Sequence, residues 1–518
     1  MPRSFPVTGG VFMDCLPAPG WFPESNVKEC ETKGMRHTRD VRREFVAVAG
    51  AVLGLLAVGP GCGSSPSAPT PSSPARPNLV VIVADDMAYG LLGPGRRFPF
   101  VALPHLEGLA ARGVLFDNAF VTTSLCSPSR ASLLTGLYAH THGVVVNESV
   151  ELSPTVATYP QLLQRAGYET AFVGKWHMDA HVDAPRPGFD YWLSFRGQGA
   201  YEDPLLNENG RAVRRSGYIT DLLTEYAVGW LRQPRTKPFL LILSHKAPHN
   251  PAVPAPRHAA ALADASLPQP ASFNDSYEGK PAWERRYARC GGTAAAFAQC
   301  PDPQPERIPP VPWNARDAPR LEYLRTLLAL DDSVGTVLST LEGLGVSRST
   351  YVVFLSDNGL FLGEHRLGDK RLAYEESLRI PFVIGGANLT PRRVSAMALN
   401  LDLAPTALDL AGLPVPAEMQ GRSLVKLLRG EAAPLRESFL YEYQGESFLP
   451  VIPDIQAVRT AGRKYVTYPR ASSEVELYDL LTDPSEMRNL AGRPEWAAVQ
   501  ADLRQELERL LAETGAPR

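Results

Sequence analysis

The run Asn78-Leu79-Val80-Val81-Ile82-Val83-Ala84 constrains the fold more than any other stretch of the chain. Every residue after Asn78 is apolar, and the run ends in Asp85-Asp86. A strand with one wet face alternates apolar and polar residues. A run apolar on both faces belongs to a sheet covered on both sides, as parallel strands are. Thr170-Ala171-Phe172-Val173, Phe239-Leu240-Leu241-Ile242-Leu243 and Tyr351-Val352-Val353-Phe354-Leu355 repeat the pattern. Helical segments lie between them, and Leu321 to Leu341 has helical periodicity ahead of the last strand. This alternation predicts an α/β sandwich with a large mixed, mostly parallel sheet. In such sheets ligands gather at the carboxyl ends of strands.

The chain divides by composition. From Glu437 the pattern changes to short antiparallel-type segments: Gln456 to Thr460, Lys464 to Tyr468 and Glu476 to Leu480. An amphipathic helix follows over 495–514. We expect a main domain over 78–430 and a smaller C-terminal α+β subdomain with an antiparallel sheet over 431–518. Residues 255–318 are rich in Pro, Ala and Arg and read as an insertion or long loop near the active-site face. Cys290 and Cys300 lie within it, and the residues leave both a local disulfide and two free thiols open.

The N-terminus reads as targeting sequence. A basic stretch at 36–43 precedes an apolar run from Phe45 to Val58, then Gly61-Cys62. That order is the one a secretory signal uses, predicting a signal peptide over 35–62 and export to the periplasm, the outer membrane or the medium. Arg42-Arg43 also fits a twin-arginine signal, and Cys62 a lipoprotein anchor, the one membrane link expected. Residues 1–34 have no signal character and read as a non-native or disordered extension. The Ser/Pro-rich tract 63–77 reads as a linker. A net charge of -3 lacks the basic excess that nucleic-acid binding requires.

Two acidic pairs close apolar strands. Asp85-Asp86 follows the first, and Asp357-Asn358 follows the Tyr351 run. Adjacent carboxylates repel, and together these four side chains offer only hard oxygen ligands. That set suits Ca²⁺, with Mg²⁺ as the alternative, better than zinc.

The run Ser124-Leu125-Cys126-Ser127-Pro128-Ser129-Arg130-Ala131-Ser132-Leu133-Leu134-Thr135-Gly136 places a cysteine four residues before an arginine. It resembles the Cys-x-Pro-x-Arg signature of type I sulfatases. Gly167 to His177, ending in Gly174-Lys175-Trp176-His177, is similar to a second signature of that family. His245-Lys246-Ala247-Pro248-His249 and Gly363-Glu364-His365-Arg366-Leu367-Gly368-Asp369-Lys370 resemble two more, although Arg366 stands where the family has glycine. The resemblance runs from Asn78 to Leu490. Gly188 to Trp192 and Gly197-Gln198-Gly199-Ala200-Tyr201 look most like N-acetylglucosamine-6-sulfatases and related glycosaminoglycan sulfatases.

The resemblance implies an alkaline-phosphatase-like fold and a sulfuric ester hydrolase acting on a sulfated carbohydrate. It implies that a formylglycine-generating enzyme oxidises Cys126 to formylglycine, whose hydrated aldehyde attacks sulfur. Cys126 would also join Asp85, Asp86, Asp357 and Asn358 at the metal. Arg130, Lys175 and Lys370 would neutralise the sulfuryl group, with Arg130 also anchoring the Cys126 loop. His177 would serve the diol, and His249 would protonate the leaving oxygen. His245 reads as a supporting or substrate-facing residue. Two rivals stand beside this reading. One is phosphonate or phosphate monoester hydrolysis on the same scaffold, and the other is sugar binding without catalysis.

Overall fold

A computed structural model describes residues 76–517, apart from 94–95, 148–149, 180, 301–312, 432–434 and 472. The expected extension at 1–34, the signal peptide at 35–62 with Cys62, and all but the end of the 63–77 linker lie outside the described residues.

The apolar runs are neighbours in one ten-stranded sheet. Its order is Arg392–Val394, Val114–Phe116, Phe382–Gly386, Thr350–Ser356, Asn78–Ala84, Phe239–Ser244, Glu169–Lys175, Tyr191–Phe195, Leu205–Glu208 and Arg211–Arg214. The five strands from Thr350–Ser356 to Tyr191–Phe195 are mutually parallel, and antiparallel pairings flank them. Asn78–Ala84 sits between Thr350–Ser356 and Phe239–Ser244, buried along its length. Val80 and Ile82 face one core, with the helices Pro104–Arg112, Ile219–Leu231 and Asp317–Gly343. Leu79, Val81 and Val83 face the other, with Cys126–Thr135, Tyr159–Arg165 and Leu403–Leu410. Burying each such side chain contributes roughly 1.5–3 kcal/mol, so a strand apolar on both faces is stable only between two helical layers.

A separate four-stranded antiparallel sheet, Ser438–Tyr443, Ile455–Thr460, Arg463–Thr467 and Val475–Asp479, is covered by the helix Ala497–Thr514. Leu503, Leu507, Leu510 and Leu511 of that helix share a core with Leu440, Val458 and Leu477. Their spacing of four, three and one is one helical face. Both expected sheets are therefore present.

The stretch from 255 is more ordered than a loop. It holds the helices Ala282–Arg289 and Ala294–Ala298, and Tyr277 and Tyr287 are buried in the same core as the small sheet. Its sequence lacks long apolar runs because it packs through tyrosines. Cys290 and Cys300 are joined as a disulfide.

His142 shows how tightly the helix Cys126–Thr135 is held. The Val144 N–H donates to its Nδ1 at 3.1 Å, so the other nitrogen, Nε2, carries the proton facing Ser132 Oγ at 3.1 Å. Burial pushes this imidazole down to about 3. The unfolded chain binds the proton near pH 6.5 and the folded one does not, so the contribution is complete above that pH and lost as pH falls toward 3. At pH 5 the loss is about 2 kcal/mol. Urea midpoints at pH 7.5 and pH 5 should show it, and His142→Asn should shrink the difference between them by about that amount.

Candidate active site

Register decides where the chemistry meets. Ala84 pairs with Ser356, Val83 with Ser244, and Gly174 with Ser244. The residues that follow, Asp85, Asp357, His245 and Lys175, therefore gather at one edge of the sheet. The approach at Gly174 is close, with φ +122° and a position where a Cβ would lie 1.8 Å from the Ser244 carbonyl oxygen, so only glycine fits.

Cys126 enters this edge as the first residue of the helix Cys126–Thr135, and it is fully buried. Its Sγ lies 3.7 Å from Asp85 Oδ1 and 4.0 Å from Asp86 Oδ1, and Lys370 Nζ donates to it at 2.9 Å. Burial pushes the thiol up, but Lys175 and Lys370 outweigh it and bring it down to about 7. The helix N-terminus favours negative charge at the same place.

Lys175 Nζ donates to Asp85 Oδ2, and Lys370 Nζ donates to Asp86 Oδ1. Burial alone would raise both carboxyls. The cations reverse this, chiefly Lys175 at Asp85 and Lys370 at Asp86, and hold each below the usual carboxylate range. Asp86 has φ 66°, a conformation rare outside glycine, fixed by its N–H donating to Asp357 Oδ1 at 2.9 Å. Asp357 goes the other way. Burial raises it, Arg130 offsets only part of this, and it stands at about 8.

Arg130 reaches four of the central strands. Its guanidinium donates to the Lys175 carbonyl at 2.9 Å and Ser244 Oγ at 2.6 Å. It also pairs with Asp357 Oδ2 at 2.7 Å and Asp85 Oδ1 at 3.4 Å. These contacts make it the anchor of the Cys126 helix.

The sequence-predicted residues thus meet at one edge: Cys126, Arg130, Lys175, His177, His249 and Lys370 with Asp85, Asp86, Asp357 and Asn358. His177 has φ 59°; Ser127 Oγ donates to its carbonyl oxygen at 2.5 Å and lies 3.5 Å from its Nδ1. Burial, then Lys175, hold His177 well below the ordinary histidine range, so its imidazole is neutral. His249 Nε2 lies 3.6 Å from Asp86 Oδ2. His245 is fully buried, 3.0 Å from Ser333 Oγ, and supports the site from behind. Three contributors were not singled out in the sequence. Gln198 Oε1 accepts from Lys175 Nζ at 2.5 Å, Ser244 Oγ accepts from Arg130, and Tyr201 donates to the His249 carbonyl at 2.8 Å. Gln198 and Tyr201 lie inside a quoted motif and Ser244 directly precedes one, but only the structure shows what each touches.

The donor set fits a hard cation. Asn358 Oδ1 is buried with no hydrogen-bond partner among the described residues. Ligand atoms of Asp85, Asp86, Cys126 and His249 lie within 4.8 Å of one another. Carboxylate and amide oxygens are the donors that hard divalent cations take. The presence of His249 in the group follows from its position over Asp86.

Two family models match the chain. One described as Sulfatase covers residues 77–413, and one described as N-sulphoglucosamine sulphohydrolase, C-terminal, covers residues 363–513. The chain is 33% identical to an N-acetylglucosamine-6-O-sulfatase of Bacteroides thetaiotaomicron, over 84% of this chain and 86% of that one. It is 30% identical to the N-acetylglucosamine-6-sulfatase of Homo sapiens, over 80% and 81% of the two chains. A solved structure of a protein in complex with its substrate D-glucosamine-2-N,6-O-disulfate superposes with a TM-score of 0.74 at 31% identity, covering 85% of this chain and 98% of that one. A phosphonate monoester hydrolase from Silicibacter pomeroyi superposes with a TM-score of 0.69 at 25% identity, covering 85% and 96%. With the matched region spanning the whole of the site described above, the chain belongs to the sulfatase family.

Proposed function

We propose that the chain is an exported, formylglycine-dependent sulfuric ester hydrolase that removes sulfate from a sulfated, N-acetylglucosamine-type sugar. The observation that carries this reading is the setting of Cys126, which lies at a helix N-terminus between the carboxylates of Asp85 and Asp86 and the ammonium of Lys370. Relatives over most of the chain act, by name, on N-acetylglucosamine 6-sulfate groups. Export is supported by the basic-then-apolar N-terminal sequence and by the Cys290–Cys300 disulfide, a bond of oxidising compartments.

Converted to formylglycine, residue 126 would supply a hydrated aldehyde as nucleophile, and Ca²⁺ held by Asp85, Asp86, Asp357, Asn358 and residue 126 would supply positive charge at the sulfuryl oxygens. The chain's own groups do the rest. Lys175 and Lys370 orient and neutralise the sulfate as buried point charges, where charge counts for more than in water. His177, kept neutral, accepts a proton at residue 126. His249 gives a proton to the leaving sugar oxygen, the step that a poor leaving group needs most. Arg130 holds the nucleophile's helix against the strand ends.

Phosphonate monoester hydrolysis is the second reading, favoured by the likeness to the Silicibacter pomeroyi enzyme. The same cationic pocket accepts either tetrahedral group. Protein produced with a formylglycine-generating enzyme should release sulfate from N-acetylglucosamine 6-sulfate faster than it cleaves a phenylphosphonate ester. The reverse order would favour the second reading. Cys126→Ala should lower kcat/KM on the order of 10³-fold or more while leaving the circular dichroism spectrum unchanged. Full activity in that variant would defeat the mechanism.

The cation gives an independent check. Dialysis against a chelator should lower the melting temperature and abolish turnover, and added Ca²⁺ should restore both. Saturation at one hundred times Kd stabilises by about 2.7 kcal/mol. Resistance of the melting temperature and of activity to exhaustive chelation, with no metal found by elemental analysis, would contradict the assignment.

A further inference from the structure

Lys246 is a mostly buried cation with no ion-pair partner among the described residues. It is 4% exposed, and its Nζ makes neither an ion pair nor a hydrogen bond among the described residues. The Nζ lies over the ring of Tyr201, whose centroid is 4.7 Å away. Lysine is almost never buried unless paired, and a ring face replaces only part of the lost hydration.

Its position is fixed on both sides. The His245 N–H donates to the Val83 carbonyl at 2.9 Å, and the Asp85 N–H donates to the Ala247 carbonyl at 3.1 Å. Lys246 therefore stands at the carboxyl end of the central strand, beside Asp85. The His249 N–H donates back to the Lys246 carbonyl at 3.0 Å, so the lysine and the proposed proton donor share one turn. Tyr201 is held by stacking on Tyr218, with centroids 5.8 Å apart. The nearby carboxylates are engaged, because Lys175 occupies Asp85 and Lys370 occupies Asp86. Among the described residues no carboxylate pairs with Lys246.

We propose that Lys246 contacts the substrate, and that its ammonium binds an anionic oxygen of a substrate sulfate group on the side where His249 stands. This rests on the sulfatase reading above and adds a residue to it. Burial, then the charge of Lys175, hold the ammonium down at about 8, and an anion bound beside it would favour the charged form. The alternative is a peg that only supports Tyr201, and through it the His249 carbonyl.

Inorganic sulfate is the direct probe, titrated calorimetrically into the full chain. Lys246→Met keeps an unbranched apolar stem and removes the charge, and Lys246→Arg keeps the charge. We expect Lys246→Met to weaken sulfate binding and raise KM by about ten-fold or more, with kcat changed by less than about three-fold. Lys246→Arg should restore both to within about three-fold. An equal KM rise on N-acetylglucosamine 6-sulfate and D-glucosamine-2-N,6-O-disulfate places the contact on the scissile sulfate. A rise confined to the disulfate places it on the second sulfate. Unchanged sulfate affinity and KM, with only the melting temperature or kcat reduced, would overturn the proposal and leave Lys246 a peg. If Lys246→Met does not fold, Lys246→Gln answers the same question. Failure of the wild type to release sulfate would defeat the sulfatase reading instead, and the calorimetric comparison would still decide on Lys246.

Discussion

Everything at the strand ends depends on the buried guanidinium of Arg130. It bonds the Lys175 carbonyl and Ser244 Oγ and pairs with Asp357 and Asp85, so one side chain joins four parallel strands. A buried ion pair is a weak stabiliser, because desolvation offsets most of the attraction. Its value here is positional. Arg130 lies four residues along the helix from Cys126, one helical turn away. Fixing the guanidinium therefore fixes the helix N-terminus, and with it the direction in which Cys126 Sγ points.

Charge is arranged around that anchor in a near balance. Asp85, Asp86 and Asp357 face Arg130, Lys175 and Lys370, and all six side chains are buried. The lysines hold two carboxyls ionised, while burial pushes the third up to about 8. A divalent cation added to this set would leave the pocket with excess positive charge. Such a pocket favours a sulfate anion and would stabilise charge developing on it.

Most of this was legible in the sequence because the fold writes its topology in apolar runs. The run Leu79 to Ala84 reads as a strand buried on both faces, which puts Asp85-Asp86 at its carboxyl end. The motif around Cys126 and Arg130 was visible because its residues are contiguous. What was not legible depends on register between distant segments. Nothing near Ser244 announces that Gly174 packs against it and that Arg130 bonds its hydroxyl. Gln198 reaches Lys175 across 23 residues, and only the structure shows the contact. The stretch from 255 looked like a loop because it buries tyrosines and charged pairs, such as Lys280 with Asp275, in place of aliphatic runs.

The central claim is that Cys126 is the precursor of the nucleophile. The most direct test is the mass of the proteolytic peptide containing Cys126, from protein made alongside a formylglycine-generating enzyme and shown to release sulfate. The account predicts the mass of an aldehyde at residue 126 in place of the thiol. An unmodified cysteine in protein that nevertheless hydrolyses sulfate esters would contradict it.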